Sequence, residues 1–319
     1  MKHITRILLA LPLLLLLAGA GGGVVESLAG AGALRSYPPH GHMIEVNGLR
    51  MRLNCAGSGA PTVIFDAGWA DTGLVWQDVQ ERVARRARSC TYDRAGLGWS
   101  DPAPGGAPLT AADAALRLYQ LLQAAGEPGP YLLVGHDLGA ANLRMFALAY
   151  PQDTAGLVLV EAATLESFAA RSPAQARRDS ADLVILGVAA RLAPAGLHRL
   201  FFSGGLTPVD LPAAWASAGR AVALRAPGIQ TAYRERLGWK DSLRQAGPAE
   251  PGSLGDLPLV VLIAARPAPV QDEAAHVQAL GLLAGLSARG RQVIVENSDS
   301  YIHLRRPEVV AEAVEGLLP

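Results

Sequence analysis

Between residues 62 and 160, short β-branched runs alternate with amphipathic stretches. No other feature of the sequence limits the fold as much. Strands joined in succession through helices run parallel, by right-handed crossovers, with helices on both faces of one sheet. Thr62 to Phe65 reads as a strand, Trp76 to Arg88 as a helix and Ser89 to Tyr92 as a strand. Leu109 to Ala125 reads as a long amphipathic helix, with Thr110 as candidate N-cap and Gly126 as candidate C-cap. Tyr131 to Val134 is a strand, Leu138 to Tyr150 a helix stopped by Pro151, and Leu157 to Val160 a further strand. Upstream, His42 to Val46 and Leu49 to Cys55 flank Asn47-Gly48, a strong hairpin signal because both residues tolerate positive φ. The alternation breaks near residue 165. It resumes with the strand Leu259 to Ile263, a helix near 272–288, the strand Gln292 to Val295 and a last helix from Pro307 to Leu317. Residues 165–250 have helical stretches but no clear strand. They are expected to form a lid over the C-terminal edge of the sheet, where open α/β sheets bind ligands.

Composition narrows the partners. Of 319 residues, 28 are basic and 28 acidic; 50% are apolar and 18% charged. No global positive field exists to hold a phosphate backbone, so no nucleic-acid partner is expected. The apolar content excludes a disordered chain. Two cysteines do not make a four-thiolate metal site, and no segment repeats at a fixed period. No metal and no cofactor are expected; the expected partner is a small-molecule substrate or ligand.

Lys2 and Arg6 precede an apolar run from Ile7 to Val25. A basic flank followed by such a run is an export signal. Two readings stay open. Ala18-Gly19-Ala20 forms a small-x-small cleavage site, which makes residues 1–36 a removable signal peptide plus linker. The run is also roughly long enough to cross a bilayer, which makes it a retained anchor and gives membrane association through residues 4–25. Both readings place the remaining domain, residues 37–319, outside the cytoplasm, in the periplasm or at the cell surface. Leaving out residues 1–36 removes Lys2, Arg6, Arg35 and Glu26, so the net charge becomes −2.

The segment from Tyr131 to Gly139 reads as strand, sharp turn and helix, with Gly135 and Gly139 framing Asp137. A nucleophile elbow needs such glycines, because the helix and strand approach too closely for side chains. Other signals are Asp66-Ala67-Gly68-Trp69 after the third strand and the loop from Asp93 to Ser100. The closing pattern Ser298-Asp299-Ser300-Tyr301-Ile302-His303-Leu304 stands before Pro307-Glu308. On these residues, positions 40–318 resemble the α/β-hydrolase superfamily, and the layout looks like a group of bacterial extracytoplasmic α/β-hydrolases. The resemblance implies an α/β-hydrolase fold, with a mostly parallel eight-stranded sheet, helices on both faces and a helical lid. It implies a triad of nucleophile, acid and His in that chain order. The group has Ser at the elbow, where this chain has Asp137. It has His at the position of Ser300, and His303 matches only the second His of its closing pattern. The resemblance also places the oxyanion-hole N–H groups on Leu138 and Trp69. It makes the strands of Cys55 and Cys90 neighbours, which leaves two readings open: a disulfide between them outside the cytoplasm, or two buried thiols.

Chemistry decides what these residues allow. A Ser hydroxyl attacks an acyl carbon and forms an acyl-enzyme. An Asp carboxylate attacking an ester would form an anhydride, so ordinary esterase chemistry is disfavoured. Asp is competent at saturated carbon, as in the haloalkane dehalogenase and epoxide hydrolase branches of the superfamily. Water activated by a His then cleaves the alkyl ester. Glu161, after the strand that follows the elbow, is the expected acid. The loop after Leu259 to Ile263 offers no carboxylate before Asp272. His303 is the candidate base, and His136 is expected to be structural. Gly96-Leu97-Gly98 lacks the Lys and Ser/Thr of a P-loop and reads as a backbone turn. Two functions follow. One is a hydrolase with Asp137 as nucleophile on a small organic substrate such as an alkyl halide or epoxide. The other is a catalytically inactive homologue that binds a ligand or partner in the same pocket.

Overall fold

The structure is a computed structural model; it describes residues 21–319 except 170–171, 201, 203–205, 207–209, 248–249 and 266–272. Eight strands form one sheet in the order β1-β2-β4-β3-β5-β6-β7-β8. They are β1 (His42–Val46), β2 (Leu49–Ala56), β3 (Thr62–Asp66), β4 (Ser89–Tyr92), β5 (Tyr131–His136), β6 (Thr154–Val160), β7 (Leu259–Ala264) and β8 (Gly290–Val295). β2 pairs antiparallel with β1 and β4, and the other pairings are parallel. The expected α/β-hydrolase architecture is therefore present.

Local sequence explains the elements. Asn47 and Gly48 take positive φ, 50° and 80°, as a two-residue hairpin turn of this hand requires. Helix α3 (Ala111–Ala125) begins at a full capping box. Thr110 accepts from the Asp113 backbone N–H while the Asp113 carboxylate accepts from that of Thr110. It ends at Gly126 in the left-handed conformation, φ 68°.

Along β5, Tyr131 and Leu133 face one core while Leu132 and Val134 face the other. This alternation is the period of a strand buried on both sides. Helix α3, helix α4 (Leu138–Ala149) and helix α9 (Glu273–Gly281) cover the first face. Helix α2 (Gln77–Val83), helix α10 (Ile302–Arg305) and helix α11 (Pro307–Glu315) cover the second. Cys55 lies directly opposite Cys90 across β2 and β4, and the two are disulfide-bonded.

Between β6 and β7 the described residues form helices α5 (Leu165–Ala169), α6 (Pro173–Leu192), α7 (Ala213–Ala223) and α8 (Ala226–Gln245), with short 3-10 turns and no strand. The apolar run at Ile7 to Val25 lies largely outside the described residues. Its last residues belong to helix α1, residues 21–36, which extends to the end of the segment read as leader and linker. Helix α1 is docked on the lid: the Glu26 carboxylate is buried and accepts from Arg199 Nε at 2.6 Å. Among the described residues, no helix is long and apolar enough to cross a membrane.

Candidate active site

The site grows from the elbow between β5 and α4. Asp137 has φ 50°, outside the range in which L-residues are relaxed. Close packing holds it there. A Cβ on Gly135 would lie 2.7 Å from the backbone of Ala140, and one on Gly139 would lie 2.5 Å from the carbonyl oxygens of Asp66 and Ala67. Two further positive-φ residues lie at the same place, Ala70 (59°) and Glu161 (45°). The remaining non-glycine examples among the described residues are Asn47 and Asn297, a residue type that tolerates this region. Backbone strain of this kind costs on the order of 1–3 kcal/mol per residue and persists where the surroundings over-determine it.

The turn after β3 supplies the donor expected of an oxyanion hole. Trp69 N–H donates to Asp137 Oδ2 at 3.2 Å. Buried Arg94 holds that turn in place. Its guanidinium donates to the carbonyls of Ala67 (2.6 Å) and Gly68 (2.8 Å), to Asp66 (2.7 Å) and to Glu235 of lid helix α8 (2.7 Å). With those two carbonyls turned to Arg94, the next N–H faces the elbow. Leu138 opens α4, so its N–H is one of the helix N-terminal donors without an intrahelical acceptor. The Trp69 indole donates to Ala232 O of α8 at 2.9 Å, so it braces the lid.

Glu161 follows β6, as expected of the acid. Its carboxylate accepts from Ala264 N–H at the end of β7 (2.7 Å) and from His276 Nε2 (3.1 Å). His276, on α9, was not among the residues singled out from sequence. It carries no motif, and 115 residues separate it from Glu161. Its one sequence signal is position: it follows the strand after which the acid usually stands in the resembled fold. Asp137, Glu161 and His276 line one cavity of about 210 Å³, together with His136, Ser300 and Tyr301. Phe168 and Trp239 of the lid also line it.

The other sequence candidates divide. His136 Nε2 donates to the Ser300 carbonyl at 3.0 Å, and a carbonyl can only accept. Burial lowers its pKa despite the neighbouring Asp137 and Glu161 carboxylates, so the neutral ring keeps a lone pair on Nδ1. Burial also raises the Tyr301 phenol far above its usual value, and the Asp71 and Asp137 carboxylates reinforce this. The phenol is therefore a neutral donor, hydrogen-bonded to Asp71. The structure does not bring His303 to the cavity, contrary to the expected role as base. Its ring is fully buried between Trp76 and His136, with centroids at 4.3 and 4.5 Å. Neither ring nitrogen has a hydrogen-bond partner among the described residues. The reason is local: α10 begins only at Ile302, so Ser300 and His303 do not share a helix face. Gly98 serves the loop from Asp93 to Ser100, since a Cβ there would meet Asp93 Oδ2 at 2.2 Å. The Asp93 carboxylate accepts from Trp99 N–H and Gly73 N–H, which makes this loop a structural turn.

A strained elbow at the C-terminal edge of a mostly parallel sheet, under a helical lid, defines a class of protein. The family profile described as the alpha/beta hydrolase fold matches residues 61–307, and the chain belongs to that family. Several curated proteins match over 32–40% of this chain, and one matches over 85% of it at 27% identity. A stretch of 104 residues is 35% identical to an AB hydrolase superfamily protein of Gibberella zeae, covering 32% of each chain. The chain spans less than half the length of the curated relatives it matches. Among solved structures, the epoxide hydrolase CorEH superposes with TM-score 0.65 at 19% identity, over 87% of this chain and 97% of the other. A thermophilic esterase from Thermogutta terrifontis superposes with TM-score 0.61 at 19% identity, over 86% and 96%. At such identities the likeness shows the fold.

Proposed function

We propose that the protein is a hydrolase that attacks saturated carbon of a small organic substrate, an alkyl halide or an epoxide, through the Asp137 carboxylate. The observation that carries this reading is the presence of Asp137 and the Glu161–His276 pair around one cavity. With Oδ2 held by Trp69 N–H, Oδ1 is the attacking oxygen. A C–O bond forms to the substrate carbon as the bond to halide or ring oxygen breaks; a halide leaves as the anion, and a ring oxygen takes a proton from the neutral Tyr301 phenol that lines the cavity. The product is an alkyl ester of Asp137 with Oδ2 as its carbonyl oxygen. Water then adds to the ester carbon, and negative charge develops on Oδ2, where the Trp69 N–H already points. His276 commits its Nε2 proton to Glu161, which leaves Nδ1 as the lone pair that takes the proton of that water. The adduct then collapses: the C–O bond to the alkyl group's oxygen breaks, the alcohol leaves with the proton from His276, and Asp137 loses its remaining proton to solvent and is a carboxylate again. The Cys55–Cys90 disulfide supports an extracytoplasmic location, since such bonds persist in oxidising compartments.

The test is intact-mass analysis after incubation with panels of haloalkanes, epoxides and p-nitrophenyl esters. The expected result is turnover by the native chain and a stable alkyl adduct on Asp137 in His276→Gln. Neither turnover nor adduct in both proteins overturns the reading and leaves the ligand-binding alternative.

A further inference from the structure

Seven large apolar side chains are more than half exposed, and among the described residues they lie in only two stretches. Val24, Val25 and Leu28 belong to α1. Val184, Ile185 and Val188 belong to the C-terminal half of α6, and Leu200, 75% exposed, follows it. Scattered exposed apolar residues are ordinary, but a concentration of them marks an interaction site.

Close contacts join α1 to the C-terminal end of the second stretch, so the two meet at one corner of the lid. A Cβ on Gly22 would lie 2.3 Å from Ala195 O, and one on Gly23 would lie 3.5 Å from Pro194 O. One turn further along α1, Glu26 accepts from Arg199 Nε (2.6 Å) and Nη2 (3.1 Å) and from Ala226 N–H (3.0 Å). Glu26 is therefore paired inside the protein. The corner can approach hydrocarbon without stranding that carboxylate.

We propose that this corner, α1 with the segment Val184 to Leu200, seats on a lipid bilayer and holds the lid at the membrane surface. The chain itself names the occupant. Residues 7–20 immediately precede α1 and contain no charged or polar side chain, with Lys2 and Arg6 before them. In the retained-anchor reading, on which this inference rests, partition of that stretch into lipid delivers Gly21, and with it this corner, to the same bilayer. The Glu26–Arg199 pair then transmits the attachment to the lid. This inference does not depend on chemistry at Asp137.

The test uses the full chain reconstituted in vesicles of phosphatidylcholine and phosphatidylglycerol. Both native cysteines are in the disulfide, so an introduced cysteine is the sole thiol. An environment-sensitive dye is placed at Val184→Cys and Leu200→Cys. The control is Arg85→Cys, in the exposed turn that leads from α2 into the N-terminal end of β4. Blue-shifted emission and at least twofold quenching by spin-labelled lipid are expected at 184 and 200, and neither at 85. Glu26→Ala is expected to lower the quenching at 200 about twofold while the chain still floats with the vesicles. Absence of quenching at 184 and 200 overturns the proposal. So does cross-linking of Leu200→Cys to a second copy without quenching, which assigns the corner to self-association.

Discussion

His276 on α9 donates to Glu161 at the end of β6, at 3.1 Å, and both line the cavity that holds Asp137. The pair places a carboxylate and an imidazole in the cavity, to which the closing loop brings Ser300 instead of His.

Asp137→Asn keeps an oxygen for Trp69 N–H to donate to, but removes the charge that the proposed attack requires. Stability is expected to change by no more than about 1 kcal/mol, because one neutral hydrogen bond replaces a charged one. Adduct formation and turnover are expected to fall by at least about 10³. Urea unfolding and intact-mass analysis check the two halves separately.

Arg94→Met should be among the most damaging single changes. It strands Asp66 and Glu235, both buried, and frees the turn that presents Trp69 N–H. A loss of about 3–5 kcal/mol is expected from breaking one side of a buried ion pair. Arg94→Lys should recover little, since a single ammonium cannot serve two carboxylates and two carbonyls. Urea midpoints of both variants decide it; a Lys variant as stable as the native chain would contradict the assignment.

The elbow predicts a contrast between glycines. Gly139→Ala places a Cβ against backbone oxygens that cannot swing away, and should cost about 1–3 kcal/mol. Gly285→Ala meets nothing within 4 Å and should stay within about 0.5 kcal/mol of native. Thermal unfolding of the two variants side by side measures the difference.

Removing the disulfide as Cys55→Ala with Cys90→Ala frees a loop with a sequence separation of 35. Chain entropy puts the loss at about 3–4 kcal/mol. The β2–β4 pairing should persist, so the double variant should fold in the cold and unfold at a lower temperature. Circular dichroism melts test this.

Acid should weaken the fold through buried histidines. Burial holds the His303 ring well below its ordinary value of 6.5, and His136 is lowered in the same direction. As pH falls below about 6.5 the unfolded chain takes up protons that the folded chain refuses. Stability is then lost by up to about 1.4 kcal/mol per pH unit for each such group. His303→Phe should flatten this decline. Urea midpoints at pH 7.5 and 5.5 provide the measurement, and an equal drop in both proteins would contradict it.

Some of this protein is legible in one dimension. The order of strands and helices, the Asn47-Gly48 turn, the Thr110 cap and the glycines around Asp137 all rest on periodicity or on backbone conformations that few residues adopt. Such signals act over a few residues, so the sequence carries them directly. Glu161 was legible for the same reason, as a carboxylate at a strand end. Other parts depend on contacts between distant segments. The partner of Glu161 is His276, far along the chain and unmarked by any motif. His303 looked like a base by its place in the chain, yet packing sends its ring between Trp76 and His136. Arg94 holds the turn before Trp69 only because β4, β3 and α8 converge on it. The sequence by itself determined the sheet, the elbow and the Asp at its tip. Only the tertiary structure decided which histidine pairs with Glu161 in the cavity that Asp137 lines and what holds the lid, because side-chain direction is settled by packing and not by order along the chain.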